Sequence, residues 1–138
     1  MKKFLDAQKR DYEQALREIR AGRKRSHWIW YIFPQLKALG YSDTAKYYGL
    51  RDIAEAKAYL DEPLLRTRLI EISEALLALP GNDPTAVMGY PDDLKLRSSM
   101  TLFAAADPDC PVFRQVLDKY YGGVPDPRTL ELLGFSEE

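Results

Sequence analysis

The stretch Gly22–Gln35 constrains the fold more than any other part of this chain. It joins a cluster of cations directly to an apolar run, Trp28–Phe33, that has no polar face. Continuous hydrophobicity is typical of both a buried helix and a central strand, so periodicity alone does not separate the two. No other segment offers a partner strand, and an isolated strand would leave its backbone polar groups unpaired. We therefore predict a short buried helix at about residues 26–33, with Ser26 as its N-cap.

Helix signals account for the rest of the chain. Apolar residues recur at helical spacing from Lys3 to Ala21, and the most regular pattern runs from Pro63 to Leu79. No sustained period-two pattern with hairpin turns occurs. The sequence predicts an all-α fold, a single multihelical domain of residues 1–138 with about seven to nine helices around a central buried helix near Trp28–Phe33. Side chains suited to cap or begin these helices are Ser42, Asp52, Asp83, Asp92, Asp109 and Asp126.

Composition excludes several classes of protein. The chain has 138 residues, 20 basic and 21 acidic, and a formal net charge of -1. No global field attracts nucleic acid or an anionic membrane, and we do not expect nucleic acid as a partner. There is neither a signal peptide nor an apolar run long enough to span a membrane, so we expect a cytoplasmic protein. Since Cys110 and His27 are the sole cysteine and histidine, we expect no disulfide, no metal site and no cofactor.

Four cations, Arg20, Arg23, Lys24 and Arg25, precede Ser26. An anion at this point would meet guanidinium groups together with the free N–H groups at the start of the next helix. That combination is typical of a phosphate or carboxylate site. The alternative is a solvated cluster whose charges pair with acids elsewhere in the chain.

The only histidine and both tryptophans follow these cations directly. The imidazole of His27 could act as an acid or base near neutral pH or contact a ligand, and a structural hydrogen bond is the alternative. Trp28 and Trp30 are two residues apart, so in a helix their side chains point about 200° away from each other. Either both belong to the core, or one of them, which we take to be Trp30, lines a pocket.

A second dense stretch, Lys95–Phe103, places polar groups among apolar residues. Lys95 lies three and four residues before Ser98 and Ser99, so the three share one helix face. Buried polar groups need either internal partners or a ligand. A Ser–Lys nucleophile pair is chemically conceivable, but no nucleophile elbow or other motif accompanies it.

We expect the two dense stretches to converge on one anion-accepting cleft. Three positive charges would then lie together, and Asp92 and Asp93 are the internal groups that could compensate them. No phosphate-loop, dinucleotide or zinc-protease motif is present, so the catalytic residues remain unknown. The candidate ligand-binding residues are Arg23, Arg25, His27, Trp30, Lys95, Ser98 and Ser99.

Three motifs carry a resemblance to a known family: Gly22–Gln35, Glu55–Leu60 and Lys95–Phe103. Over Phe4–Leu133 the chain closely resembles a bacterial family called domain of unknown function 1810, whose members are sometimes mislabelled calpastatin-like. The resemblance implies a multihelical fold with a buried central helix and implies no established activity. A fainter similarity, to the NADAR family of ADP-ribose-related glycosidases, lies in the pattern of Ala56–Leu65.

Two classes of function therefore stay open. The first is a small-molecule site for an anionic, phosphorylated or nucleotide-like ligand in the predicted cleft. The second is a non-enzymatic structural or interaction module in which the same residues only stabilise the fold. An ADP-ribose-related glycosidase is a further alternative that rests on the fainter similarity alone. The sequence does not define the oligomeric state.

Overall fold

The computed structural model describes residues 1–135, which form an all-α domain, as predicted. Within them the β-type pairing is limited to an isolated bridge between Leu36 and Leu50. A short 3-10 helix spans Lys37–Leu39. In this part of the chain no helix is both long and apolar enough to cross a lipid bilayer. The nine α-helices of the described residues are α1 (Lys2–Arg20), α2 (Ile29–Ile32), α3 (Asp43–Tyr48), α4 (Ile53–Asp61), α5 (Pro63–Ala78), α6 (Pro84–Met88), α7 (Asp92–Ala106), α8 (Val112–Tyr121) and α9 (Pro127–Leu133).

A row of aromatic rings runs through the core and joins four of these helices. Phe4 of α1 meets Tyr59 of α4 edge-on, with 5.1 Å between ring centroids. Tyr59 in turn contacts Phe103 of α7 at 5.3 Å, and Phe103 contacts Phe113 of α8 at 5.8 Å. All four side chains are at most 1% exposed. Each such pair contributes about 0.5–1.5 kcal/mol beyond the burial of its area, so this row helps to stabilise the packing of the four helices.

The apolar run forms the central buried helix that was predicted, but the helix is shorter. It spans only Ile29–Ile32, and Trp28 and Phe33 flank it with 1% exposure each. Trp28 occupies the N-cap position and makes no side-chain capping bond. The prediction that Ser26 caps this helix is wrong, because the Ser26 hydroxyl is bonded to a carboxylate of α1.

Local capping chemistry sets the start of most other helices. The side chains of Ser42, Asp52, Asp83 and Asp126 each accept a hydrogen bond from a backbone N–H in the first turn, as predicted. The prediction that Asp92 is a cap is wrong. Asp92 is the first residue of α7 and its carboxylate pairs with two lysines instead. Nor is Asp109 a cap, since α8 begins after Pro111 without a side-chain capping bond.

Truncation of the central helix tests its place in the core. Ile29 and Ile32 are 1% and 2% exposed, so replacing either with Ala leaves a cavity that the surroundings cannot fill. We expect each variant to lose about 2–5 kcal/mol of unfolding free energy in urea denaturation. Leu64→Ala is the control, because Leu64 is 44% exposed and should lose under about 1 kcal/mol. Losses under about 1 kcal/mol for both isoleucines would contradict central burial.

Candidate functional site

The carboxylate of Glu18, close to the end of α1, organises the loop between α1 and α2. It accepts hydrogen bonds from the backbone N–H groups of Arg25 (2.8 Å) and Ser26 (2.9 Å). The Ser26 hydroxyl donates a third at 2.6 Å, and the indole N–H of Trp28 a fourth at 2.9 Å. A fifth comes from the side-chain amide of Gln14 at 3.0 Å. This α1–α2 loop is thereby held against the last turns of α1.

Two opposing effects act on the pKa of Glu18. Burial of the carboxyl group raises its pKa, whereas the hydrogen bonds from Ser26, Arg25 and Trp28 lower it. The bonds prevail and hold the pKa at about 2, below the ordinary value of 4.5. The backbone N–H groups of Arg25 and Ser26 are therefore bonded to an internal anion and are not available to an external one.

The side chains of the α1–α2 loop alternate between solvent and interior. Arg23, Arg25 and His27 are exposed. Lys24 and Ser26 point inward, where the Lys24 side chain is only 6% exposed and the Ser26 hydroxyl binds Glu18. The alternation divides the cationic cluster, because Lys24 is separated from the two arginines beside it.

Lys24 forms a buried ion pair that connects distant parts of the chain. Its Nζ lies 2.7 Å from Oδ2 of Asp92, at the start of α7, and donates a hydrogen bond to the Ser26 carbonyl at 2.5 Å. The same group lies 4.9 Å from the ring centre of Trp28. Its backbone N–H donates to the Val87 carbonyl at 2.7 Å. Lys24 therefore fastens the α1–α2 loop to α6 and α7.

Lys95 approaches the same carboxylate from the other side. Its Nζ lies 3.6 Å from Oδ1 of Asp92 and 5.4 Å from the ring centre of Trp30, and its side chain is 27% exposed. Two ammonium groups, of Lys24 and Lys95, thus share one carboxylate, and the closer of the two is Lys24. Asp92 was expected to compensate Lys95, Arg23 and Arg25. It does pair with Lys95, but its other partner is Lys24 and not either arginine. Asp93 takes no part in this pairing, since its carboxylate accepts a bond from the Thr85 hydroxyl.

Lys95 also lines a cleft of about 480 Å³ between α7, the segment before α3 and the start of α9. The wall carries two cations, Lys95 and Arg128, and one acid, Asp126, which already accepts two hydrogen bonds from Thr129. Tyr41, 96% exposed, forms part of the rim. The residues lining the cleft are Gln35, Leu39, Gly40, Tyr41, Ser42, Ala45, Pro91, Leu94, Lys95, Ser98, Asp126 and Arg128.

The structure brings only some of the candidate residues together. Lys95 and Ser98 line the cleft, and Gln35 joins them from the first dense stretch. Trp30 does not line the cleft but is partly buried against Lys95. The three remaining candidates of the first stretch, Arg23, Arg25 and His27, are exposed on the α1–α2 loop and do not line the cleft. Neither does Ser99, which is fully buried and whose hydroxyl has no hydrogen-bond partner within residues 1–135.

Sequence reasoning missed several of the cleft residues. Tyr41, Arg128 and Asp126 come from loops and helix starts whose positions depend on the tertiary fold. Asp126 was recognised, but only as a helix cap. The sequence contains a weak indication that Lys24 points inward, because Arg23 and Arg25 alternate with Lys24 and Ser26 just before the apolar run.

Across the described residues no group of three His, Cys, Asp or Glu side chains could hold a metal ion.

Comparison with known proteins agrees with the fold and the motifs described above. A family model described as protein of unknown function (DUF1810) matches residues 1–133. The chain belongs to this family. It is also similar to the conserved hypothetical protein Rv1873 from Mycobacterium tuberculosis, known from a crystal structure, at 47% sequence identity and a TM-score of 0.94. The similarity covers 98% of this chain and 96% of the mycobacterial one. A comparison with curated proteins gave no significant match.

The low pKa of Glu18 predicts a stability contribution that depends on pH. The folded pKa of about 2 lies below the ordinary value of 4.5, so the contribution is complete above about pH 4.5 and is lost as pH falls towards 2. Glu18→Gln should lower the unfolding free energy by about 2–3 kcal/mol at neutral pH. The difference from wild type should narrow between about pH 4.5 and 2 in urea denaturation.

Glu13→Gln is the matched control, because Glu13 is an exposed acid on the same helix. It should change the unfolding free energy by less than about 0.5 kcal/mol. A Glu18→Gln effect that is as large at pH 2 as at neutral pH would show that the charge of Glu18 is not what holds the loop.

The unequal distances to Asp92 predict different roles for the two lysines. Lys24→Ala removes the closer, buried partner and should cost about 3 kcal/mol of unfolding free energy. Lys95→Ala removes a longer and more exposed contact and should cost less than about 1 kcal/mol. Urea denaturation of the two variants measures both. A loss at Lys95 equal to that at Lys24 would mean that Lys95 is a structural partner of Asp92.

Proposed function

We propose that the cleft binds a small anionic molecule, phosphorylated or nucleotide-like, and that Lys95 is its principal contact. The observation that supports this is the pairing at Asp92, where two ammonium groups share one carboxylate. Lys24 takes the short contact of 2.7 Å, and Lys95 keeps the longer one of 3.6 Å. One positive charge is therefore left over, and it lies on the side chain that lines the cleft.

The size and composition of the cleft suit such a ligand. A volume of about 480 Å³ falls within the range of small-molecule sites, roughly 300–1,000 Å³. Lys95 supplies positive charge, and so does Arg128, which also pairs with Glu131 at 3.0 Å. The hydroxyl of Ser42 can donate a hydrogen bond, whereas that of Ser98 already donates to the Leu94 carbonyl at 3.1 Å. The exposed ring of Tyr41 offers a flat apolar face against which a planar group such as a base can pack.

A non-enzymatic interaction module remains the second candidate, and one observation favours it. Three apolar side chains at or beside the cleft rim are exposed: Tyr41 (96%), Tyr90 (77%) and Leu94 (49%). Exposed apolar groups concentrated in one place are typical of protein contacts. The glycosidase alternative gains no such support, because Ala56, Tyr59, Leu60 and Leu65 of its pattern are all core residues.

A thermal-shift screen against nucleotides, ADP-ribose derivatives and phosphosugars tests the proposal. A ligand at 100 times its Kd stabilises the folded state by about 2.7 kcal/mol, which is easily detected as a rise in Tm. In Lys95→Ala the shift should be lost, while the Tm without ligand stays close to that of wild type.

Lys57→Ala is the matched control, since it removes the same charge from an exposed site on α4. It should keep the full ligand-induced shift. If no compound shifts the wild type, the interaction module is favoured. If Lys95→Ala keeps the shift, the ligand binds elsewhere and the assignment of the cleft fails.

A further inference from the structure

Four guanidinium groups lie exposed within nine consecutive residues, at the end of α1 and in the α1–α2 loop. They belong to Arg17, Arg20, Arg23 and Arg25, which we call the arginine surface. None of them forms an ion pair with any residue between positions 1 and 135. None lines the Lys95 cleft, so a role for this surface is independent of the ligand site. Arg20 lines a separate cavity with Glu71 and Glu74 of α5, so the argument below rests on Arg23 and Arg25 of the loop.

Internal hydrogen bonds fix the backbone of the part of this surface that lies in the α1–α2 loop, Arg23 and Arg25. The backbone N–H of Arg23 donates to the Glu18 carbonyl at 3.1 Å, and that of Lys24 to the Val87 carbonyl at 2.7 Å. The N–H of Arg25 donates to the Glu18 carboxylate at 2.8 Å. With these N–H groups bonded internally, a partner strand cannot pair with the loop backbone through them, and recognition must use side chains. A fixed backbone also lowers the entropy lost on binding.

We propose that the arginine surface binds an acidic segment of a partner protein. The planar fork of a guanidinium matches a carboxylate with two parallel hydrogen bonds, so exposed arginines suit this partner better than lysines would. Arg23 and Arg25 are alternate residues, which places their Cα atoms no more than about 7 Å apart. Side chains at alternate positions of an extended peptide are separated by about the same distance. Two acids spaced in this way can meet both arginines at once.

The charge balance of the chain favours a short acidic segment over a long polyanion. The net charge is -1, and the four arginines account for +4, so the rest of the chain carries a net -5. A nucleic acid or an anionic membrane would extend beyond the arginine surface and meet this excess of negative charge. Trp28, the aromatic residue nearest to the arginines in sequence, is 1% exposed and cannot stack on bases.

Fluorescence anisotropy with a labelled short peptide that carries glutamate at alternate positions tests the proposal. The wild-type protein should bind it saturably at low salt, and the Kd should rise with salt because the contacts are exposed charges. Arg23→Glu combined with Arg25→Glu should raise the Kd by at least about tenfold. Arg23→Gln combined with Arg25→Gln should raise it less, and near-UV circular dichroism checks that both variants remain folded.

Lys9→Glu combined with Lys57→Glu is the matched control, since it makes the same change in net charge at exposed sites outside the arginine surface. Its Kd should stay within about twofold of wild type. The proposal is overturned if the wild type shows no saturable binding, or if the control loses as much affinity as the arginine variant. Tighter binding of a short DNA duplex or of phosphatidylserine vesicles than of the peptide would overturn the choice of partner.

Discussion

The hydrogen bonds gathered by Glu18 are the interaction on which the rest of the candidate site depends. One carboxylate bonds two consecutive backbone N–H groups, a hydroxyl and an indole, and so fixes the direction in which the chain leaves α1. Lys24 can then point inward to Asp92 only because the residues on either side of it point outward. The same bonds bring Trp28 into the core beside α2. Glu18 is thus a buried acid whose oxygens accept hydrogen bonds from the loop that follows it. These bonds stabilise the fold and position the charges around the loop.

The fold was largely predictable because most helix boundaries in this chain depend on neighbouring residues. Asp52, Asp83 and Asp126 cap helices that begin next to them, and a hydrogen bond over three residues can be inferred from sequence alone. In the sequence, Ser26 and Asp92 resemble these N-cap residues, yet neither of them caps a helix. Their partners, Glu18 and Lys24, are supplied by a different helix or by a distant loop, and this competition between local and long-range bonds is decided only by tertiary structure.

The candidate site was predictable in part, for a related reason. Lys95 and Ser98 could be recognised because polar side chains within an apolar helix require partners or a ligand, and both line the cleft. Arg23, Arg25 and His27 were grouped with them by proximity in sequence. An extended loop directs neighbouring side chains to opposite sides, so residues adjacent in sequence need not share a site.

Family membership and the similarity to the mycobacterial structure confirm the architecture but name no function. The contacts within the fold give a physical reason why similarity in these motifs need not reveal a function. In the motif Glu55–Leu60, for example, Ala56, Tyr59 and Leu60 are core residues. Similarity in this motif therefore reflects the packing of the core. Lys95 differs from them, because Lys24 makes the closer pair with Asp92 and Lys95 keeps only the longer contact of 3.6 Å. A second cation beside a satisfied ion pair adds repulsion unless something else compensates it. The charge of Lys95, only partly compensated by Asp92 and placed at the wall of a cleft, is the feature that packing alone does not explain.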